Sequence, residues 1–121
     1  MSDTEALREK VIEVLESIID PEIGIDVYNL GLIYDIQVID DKNVKISMGL
    51  TTIFCPLASI IPLMISEQLR VRLGIEADIS VVYDPPWTPL RMTEKGRSAF
   101  KERFGYDIVE TYLQSFRLIN K

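Results

Sequence analysis

Residues 44–83 read VKISMGLTTIFCPLASIIPLMISEQLRVRLGIEADISVVY. Val44, Ile46, Met48 and Leu50 recur at every second position, the period of a strand with one buried face. They predict a strand from about Val44 to Thr51. Leu57, Ile60, Ile61, Met64, Ile65, Leu69 and Leu73 then recur at helical spacing. They predict a helix from about Pro56 to Leu73, with Gly74 as its terminating residue. Pro62 falls inside that span, where a proline should kink or divide the helix. A further strand is expected at about Ile79 to Tyr83. Strand, helix and strand in this order form a crossover, and a crossover joins parallel strands.

The flanking segments extend this unit in both directions. Leu32, Tyr34, Ile36 and Val38 predict a strand from about Leu32 to Ile39. The polar turn Asp40-Asp41-Lys42-Asn43 joins it to the next strand as an antiparallel hairpin. Before it, Leu7, Val11, Val14, Leu15, Ile18 and Ile19 predict a helix over residues 4–19. Ser2 with Glu5 is a candidate capping box, with Thr4 as a rival cap. Asp20-Pro21 should stop this helix, and residues 20–31, DPEIGIDVYNLG, read as a loop.

After the last strand, Asp84-Pro85-Pro86-Trp87-Thr88-Pro89 cannot continue a ladder, because prolines lack the donor. Thr93 is placed to cap a helix from about Glu94 to Phe104, ended by Gly105. Apolar residues at 108, 109, 112, 113 and 116 give the tail from Asp107 to Leu118 a helical period. The order α-β-β-α-β-α predicts an α+β fold: a two-layer sandwich with a small mixed three-stranded sheet and helices on one face. The 121 residues are expected to form a single domain, with residues 94–121 as a C-terminal helical extension.

The one cysteine, Cys55, lies where the central strand should run into the helix. Pro56 suits a first helical position, which places Cys55 at the cap. The unpaired N–H groups and the positive end of the macrodipole lower a thiol's pKa there. The plainer reading is a small buried residue at a strand end. A lone cysteine makes no internal disulfide and suits a reducing, cytoplasmic setting. The polar, acidic start Met1-Ser2-Asp3-Thr4-Glu5 does not resemble a signal peptide. No apolar run approaches the length of a membrane span. The net charge of −6, without a basic patch, argues against nucleic-acid backbones as partners. There is no histidine, which removes Cys–His and Ser–His nucleophile pairs and the commonest metal ligand.

Parallel central strands have a geometric consequence. The start of the first strand and the ends of the other two should share one edge of the sheet. That edge would collect the 20–31 loop, the Thr51–Cys55 segment and the 84–87 loop, and α/β layers bind ligands at such strand ends. The expected cleft contains Asp20, Glu22, Thr51, Thr52 and Cys55, with Asn29, Asp84 and Trp87 at its rim. Each also has a plainer role. Asp20 and Glu22 suit a turn and a solvated acid, and the threonines suit a strand end. Asp84 suits a turn, and Trp87 an anchor for the proline loop.

These segments resemble a known family. Asp20-Pro21-Glu22-Ile23, Asn29-Leu30-Gly31-Leu32-Ile33-Tyr34, Thr51-Thr52 with Cys55-Pro56-Leu57, and Asp84-Pro85-Pro86-Trp87-Thr88 with Arg91-Met92 follow the order and spacing of the PaaD/SufT-like iron–sulfur cluster assembly domain family. The resemblance covers about residues 5–95. It implies the small α+β iron–sulfur assembly fold. It also implies a role in iron–sulfur protein maturation, as cluster carrier or as adaptor to apo-proteins. Cys55 matches the family's key cysteine, with Asp20, Glu22, Thr51 and Thr52 beside it. The chain lacks the C-terminal cysteine cluster of the phenylacetate-pathway branch, which argues against that pathway.

Cysteine thiolates ligate iron–sulfur clusters, normally four to a cluster. Cys55 alone could therefore ligate a cluster only transiently, or share it with a second copy in a homodimer. The expected partners are the assembly machinery and apo-protein clients, and the expected role is not enzymatic. Two other readings stand beside it. One is a metal-free protein interaction module. The other, ranked last, is an enzyme with Cys55 as nucleophile and Asp20 or Glu22 as base, which would need a carboxylate pKa raised by burial.

Overall fold

The computed structural model describes residues 2–21, 23–50 and 60–119. Helix α1 is Ser2–Leu15, strand β1 Ile33–Val38, strand β2 Asn43–Met48 and helix α2 Ile61–Leu73. Strand β3 is Glu76–Val81, helix α3 Glu94–Phe104 and helix α4 Ile108–Ile119. A 3-10 turn, Pro89–Arg91, precedes α3.

The sheet order is β1-β2-β3. β1 and β2 are antiparallel, and β2 and β3 are parallel, as a crossover through α2 requires. The fold is the expected α+β arrangement with a small mixed sheet. Val44, Ile46 and Met48 on β2 are buried, as their alternation demands. They meet Val11, Val14 and Leu15 of α1 and Ile61, Ile65 and Leu69 of α2 in one cluster. The 20–31 loop is part of that core, since Val27 and Leu30 are fully buried. Each such side chain contributes about 1.5–3 kcal/mol relative to exposure, so these two residues anchor the loop in the core.

Four expectations change. First, α1 ends at Leu15, not at residue 19, and already runs at Ser2, so Thr4 lies within it. The backbone of Ile18 and Asp20 pairs instead with the returning loop: Val27 N–H donates to the Ile18 carbonyl (2.9 Å) and Asp20 N–H to the Ile25 carbonyl (3.0 Å). Extended backbone alternates its faces, so Ile18 is buried and Ile19 is 47% exposed.

Second, Pro62 is the second residue of α2 and sits in its first turn, where the missing N–H costs nothing. The helix runs on from there to Leu73, and the stretch ahead of Ile60, where the kink or division was expected, lies outside the described residues. Its buried stripe is Ile61, Ile65 and Leu69, while Ile60 and Met64 are exposed. Leu57 and the expected start at Pro56 lie outside the described residues.

Third, β3 spans Glu76–Val81, earlier than the expected 79–83. Gly74 ends α2 in the left-handed conformation and Ile75 is buried. Glu76 N–H can then reach the Lys42 carbonyl at 2.7 Å and start the ladder.

Fourth, the register of β1 shifts between Ile33 and Asp35, making Tyr34 an extra residue in a bulge. The unbroken alternation from Leu32 to Val38 therefore does not hold.

The C-terminal helices follow their local signals. Thr93 Oγ1 accepts the Gly96 N–H (3.0 Å) and Gly105 closes α3 at φ 82°. Asp107 Oδ1 accepts the Val109 N–H at 3.0 Å, capping α4. Arg97 Nε and Nη2 also donate to the Asp107 carboxylate, at 3.0 and 2.6 Å. The Arg97 hydrogen bonds, helped by the Glu110 and Val109 N–H groups and opposed by burial, hold this carboxyl below its ordinary 3.8. A depressed folded pKa stabilises the fold above the ordinary carboxyl value, and that contribution is lost as pH falls through the folded value. Wild type is therefore expected to be more stable than Asp107→Asn at neutral pH, with the difference shrinking below pH 3.8. Denaturant unfolding of both proteins across that range checks this.

Candidate functional site

Ile33 pairs with Met48, and Met48 with Val81. Gly49 N–H donates to the Leu32 carbonyl, and Val82 N–H to the Met48 carbonyl, both at 2.8 Å. The start of β1 and the ends of β2 and β3 therefore share one edge. The chain leaves β2 there at Leu50 and re-enters the described residues at Ile60, ahead of α2. Thr51, Thr52 and Cys55 lie between these points, outside the described residues, and so does Glu22.

Two loops are locked together at this edge. Trp87 Nε1 donates to the Leu30 carbonyl at 2.7 Å, joining residues 57 apart in sequence. The Tyr34 hydroxyl donates to the Pro85 carbonyl at 3.0 Å. Thr93 N–H donates to the Asn29 carbonyl at 3.0 Å, and Thr93 Oγ1 to Asn29 Oδ1 at 2.6 Å. Two glycines permit the approach. A Cβ on Gly31, whose φ is +79°, would overlap the Arg91 carbonyl, and one on Gly49 would overlap the Tyr34 hydroxyl.

Asp20 is 1% exposed. Its Oδ1 accepts the Ile23 N–H at 3.2 Å and its carbonyl the Gly24 N–H at 2.8 Å, so it ties Ile23 and Gly24 back to the end of the preceding extended segment. Asp84 is exposed and Trp87 half-buried, and the Trp87 hydrogen bond gives it the anchoring role weighed for it. Asn29 sits behind the rim rather than on it, at 4% exposure. Its Nδ2 donates to Asp26 (2.9 Å) and Glu16 (3.2 Å). It thereby ties the loop to the end of α1 and, through Thr93, to the start of α3.

Sequence reasoning placed Tyr34 on a strand face and both Tyr34 and Arg91 in the family motifs, but put neither in the cleft or at its rim. The bulge sends the Tyr34 hydroxyl to the 84–87 loop, and the Arg91 guanidinium lies 3.9 Å from the Tyr34 ring centroid, a favourable cation–π distance. Gly49, directly after an alternating strand, is the one local sign of this crowding. Beside the Asp20 turn, a groove of about 650 Å³ runs between the end of α1 and α2, with Ile19, Leu63 and Met64 on its apolar wall. Among the described residues no group of three or more Cys, Asp or Glu side chains is arranged to hold a metal ion. Among the same residues no helix is long and apolar enough to cross a membrane.

The edge therefore presents a hydrogen-bonded frame beside the point where the chain leaves β2 toward Cys55. A family model described as iron–sulfur cluster assembly protein matches residues 8–85. The Fe-S protein maturation auxiliary factor YitW of Bacillus subtilis is 38% identical over 99 residues, spanning 78% of this chain and 94% of that protein. The Fe-S protein maturation auxiliary factor SufT of Staphylococcus aureus is 35% identical over 86 residues, spanning 68% and 94%. Among solved structures, a DUF59 domain from Bacillus anthracis superposes with a TM-score of 0.74 at 36% identity, over 81% of this chain and 94% of that one. With that match running from α1 to the loop after β3, the chain belongs to the SufT-like iron–sulfur cluster assembly family.

Proposed function

We propose that this protein is a maturation factor for iron–sulfur proteins, working in the cytoplasm as cluster carrier or adaptor to apo-proteins through Cys55. The observation that carries the reading is the locked sheet edge from which the Cys55 segment departs, in a chain of this family. The names of YitW and SufT, both maturation auxiliary factors, support a non-catalytic role. Asp20, Glu22, Thr51 and Thr52 are the proposed neighbours of the thiol, with Asp84 and Trp87 shaping the approach. Asn29 holds the frame from behind.

The iron–sulfur cluster is cargo in this reading. One thiolate supplies one of the usual four ligands, and incomplete ligation suits a donor, because a weakly held cluster passes on readily. The partners are the assembly machinery and apo-protein clients. Deleting the gene is expected to lower the activity of iron–sulfur dehydratases, and the wild-type gene to restore it. Unchanged activity under iron limitation and oxidative stress overturns the role. Anaerobic reconstitution with iron and sulfide separates the two modes, since a carrier gains visible cluster absorption and a pure adaptor does not.

The thiol has its own test. Alkylation of Cys55 against pH is expected to titrate below the free-thiol value of about 8.5. A midpoint at or above that value counts against a thiolate.

A further inference from the structure

The sheet has two flanks, the outer sides of β1 and β3, and they differ. Backbone groups of successive residues in a strand point alternately to one side and the other. Ile39 N–H donates to the Asn43 carbonyl, so Ile36 turns its backbone groups away from β2. That flank is guarded: Arg8 Nη1 on α1 donates to the Ile36 carbonyl at 2.7 Å, and the bulge at Tyr34 distorts the strand. On β3, Glu76 N–H donates to the Lys42 carbonyl and Val82 N–H to the Met48 carbonyl. Ala77, Ile79 and Val81 therefore turn their N–H and C=O groups outward. Among the described residues nothing bonds to these groups. Neither a proline nor a bulge interrupts β3. The side chains of Ala77, Ile79 and Val81 pack against the core but stay half-buried, whereas Val44, Ile46 and Met48 beside them on β2 are buried. An unguarded outer strand of this kind is a template for another strand.

We propose that β3 pairs in antiparallel fashion with β3 of a second copy of this chain, continuing the sheet across a two-fold axis. The residue order of β3, Glu76-Ala77-Asp78-Ile79-Ser80-Val81, selects this occupant. With the axis at Ile79, Ile79 meets Ile79 of the partner subunit, and Ala77 meets Val81 in both directions. Each of these pairs exchanges both its N–H···O bonds. Their side chains also cover one another and close the half-exposed end of the core. On the opposite face Asp78 stands opposite Ser80, and Glu76 opposite Val82. Moving the axis back one residue sets Asp78 against its own copy, and moving it on one residue sets Glu76 against Asp84. Like charges directly opposite destabilise a strand pair, so the pattern fixes the register at Ile79. The acids lie in the first half of β3 alone, and the reversal of direction is what keeps them apart. One strand's flank is smaller than a standard interface, so the dimer is weak and concentration-dependent. Antiparallel pairing also points the ends of the two β3 strands in opposite directions. The edges from which the Cys55 segments depart then face away from each other, and each copy keeps its own.

Sedimentation velocity and amide hydrogen exchange on the full chain over a wide concentration range test this. Wild type is expected to shift from monomer to dimer as concentration rises. Over the same range the amides of Ala77, Ile79 and Val81 should slow severalfold in exchange, because each gains a hydrogen bond. Ser80 is exposed, so its variants should keep the fold, as circular dichroism checks. Ser80→Lys sets a base opposite Asp78 twice and should tighten the dimer roughly fivefold. Ser80→Asp sets an acid there and should loosen it by about the same factor. Wild type that stays monomeric throughout overturns the proposal. So does a dimer in which those three amides exchange as fast as in the monomer, or one that the two Ser80 variants leave equally tight.

Discussion

Replacing Gly31 with alanine is expected to cost about 3 kcal/mol or more of unfolding free energy, a large part of the roughly 5–15 kcal/mol that holds a domain of this kind together. Two effects add. Gly31 has φ +79°, where an L side chain costs about 1–2 kcal/mol. The new Cβ would also overlap the Arg91 carbonyl, and a backbone atom yields less readily than a side chain. Overpacking of this kind costs about 1–3 kcal/mol. Gly74 separates the two effects. It has φ +67° with open space around its Cβ position, so Gly74→Ala should show the conformational cost alone, about 1 kcal/mol. Urea titrations of both variants measure the difference. Equal losses would show that the Arg91 backbone yields to a Cβ at Gly31 without cost.

The second large effect is functional. In the deletion strain, Cys55→Ser is expected to fail to restore iron–sulfur enzyme activity while wild type succeeds. Serine is nearly the same size and forms hydrogen bonds readily, so the fold should persist, with an unfolding midpoint close to wild type. Serine is a hard oxygen donor and replaces a soft thiolate poorly toward iron. A specific loss of maturation with unchanged stability is the signature of thiol chemistry. Full rescue by the serine variant would make Cys55 structural and leave an adaptor that works without its thiol.

The elements that read correctly from the chain are those whose signals lie within a few residues. Thr93 and Gly105 bracket α3 because a cap is made by an oxygen and an N–H three residues apart. Gly74 ends α2 through its own dihedral angles. The alternation of Val44, Ile46 and Met48 marks β2 because burial on one face repeats every two residues. The crossover rule then orients β3 without any knowledge of contacts.

The departures arise from partners far away in sequence. α1 stops at Leu15 because backbone groups of Ile18 and Asp20 bond to Val27 and Ile25, which outweighs an apolar period that would carry the helix on to residue 19. Tyr34 leaves the alternation because its strand bulges, and its hydroxyl meets Pro85, 51 residues away. Asn29 reads as a rim residue until Thr93, 64 residues on, closes over it. By itself the sequence determined the fold class, the parallel crossover and the edge from which the Cys55 segment leaves, because periodicity and chain connectivity are local properties. Tertiary structure alone decided which loops lock at that edge, which residue stands behind it and which flank of the sheet stays open, because those depend on distant backbones competing for the same hydrogen bonds and the same space.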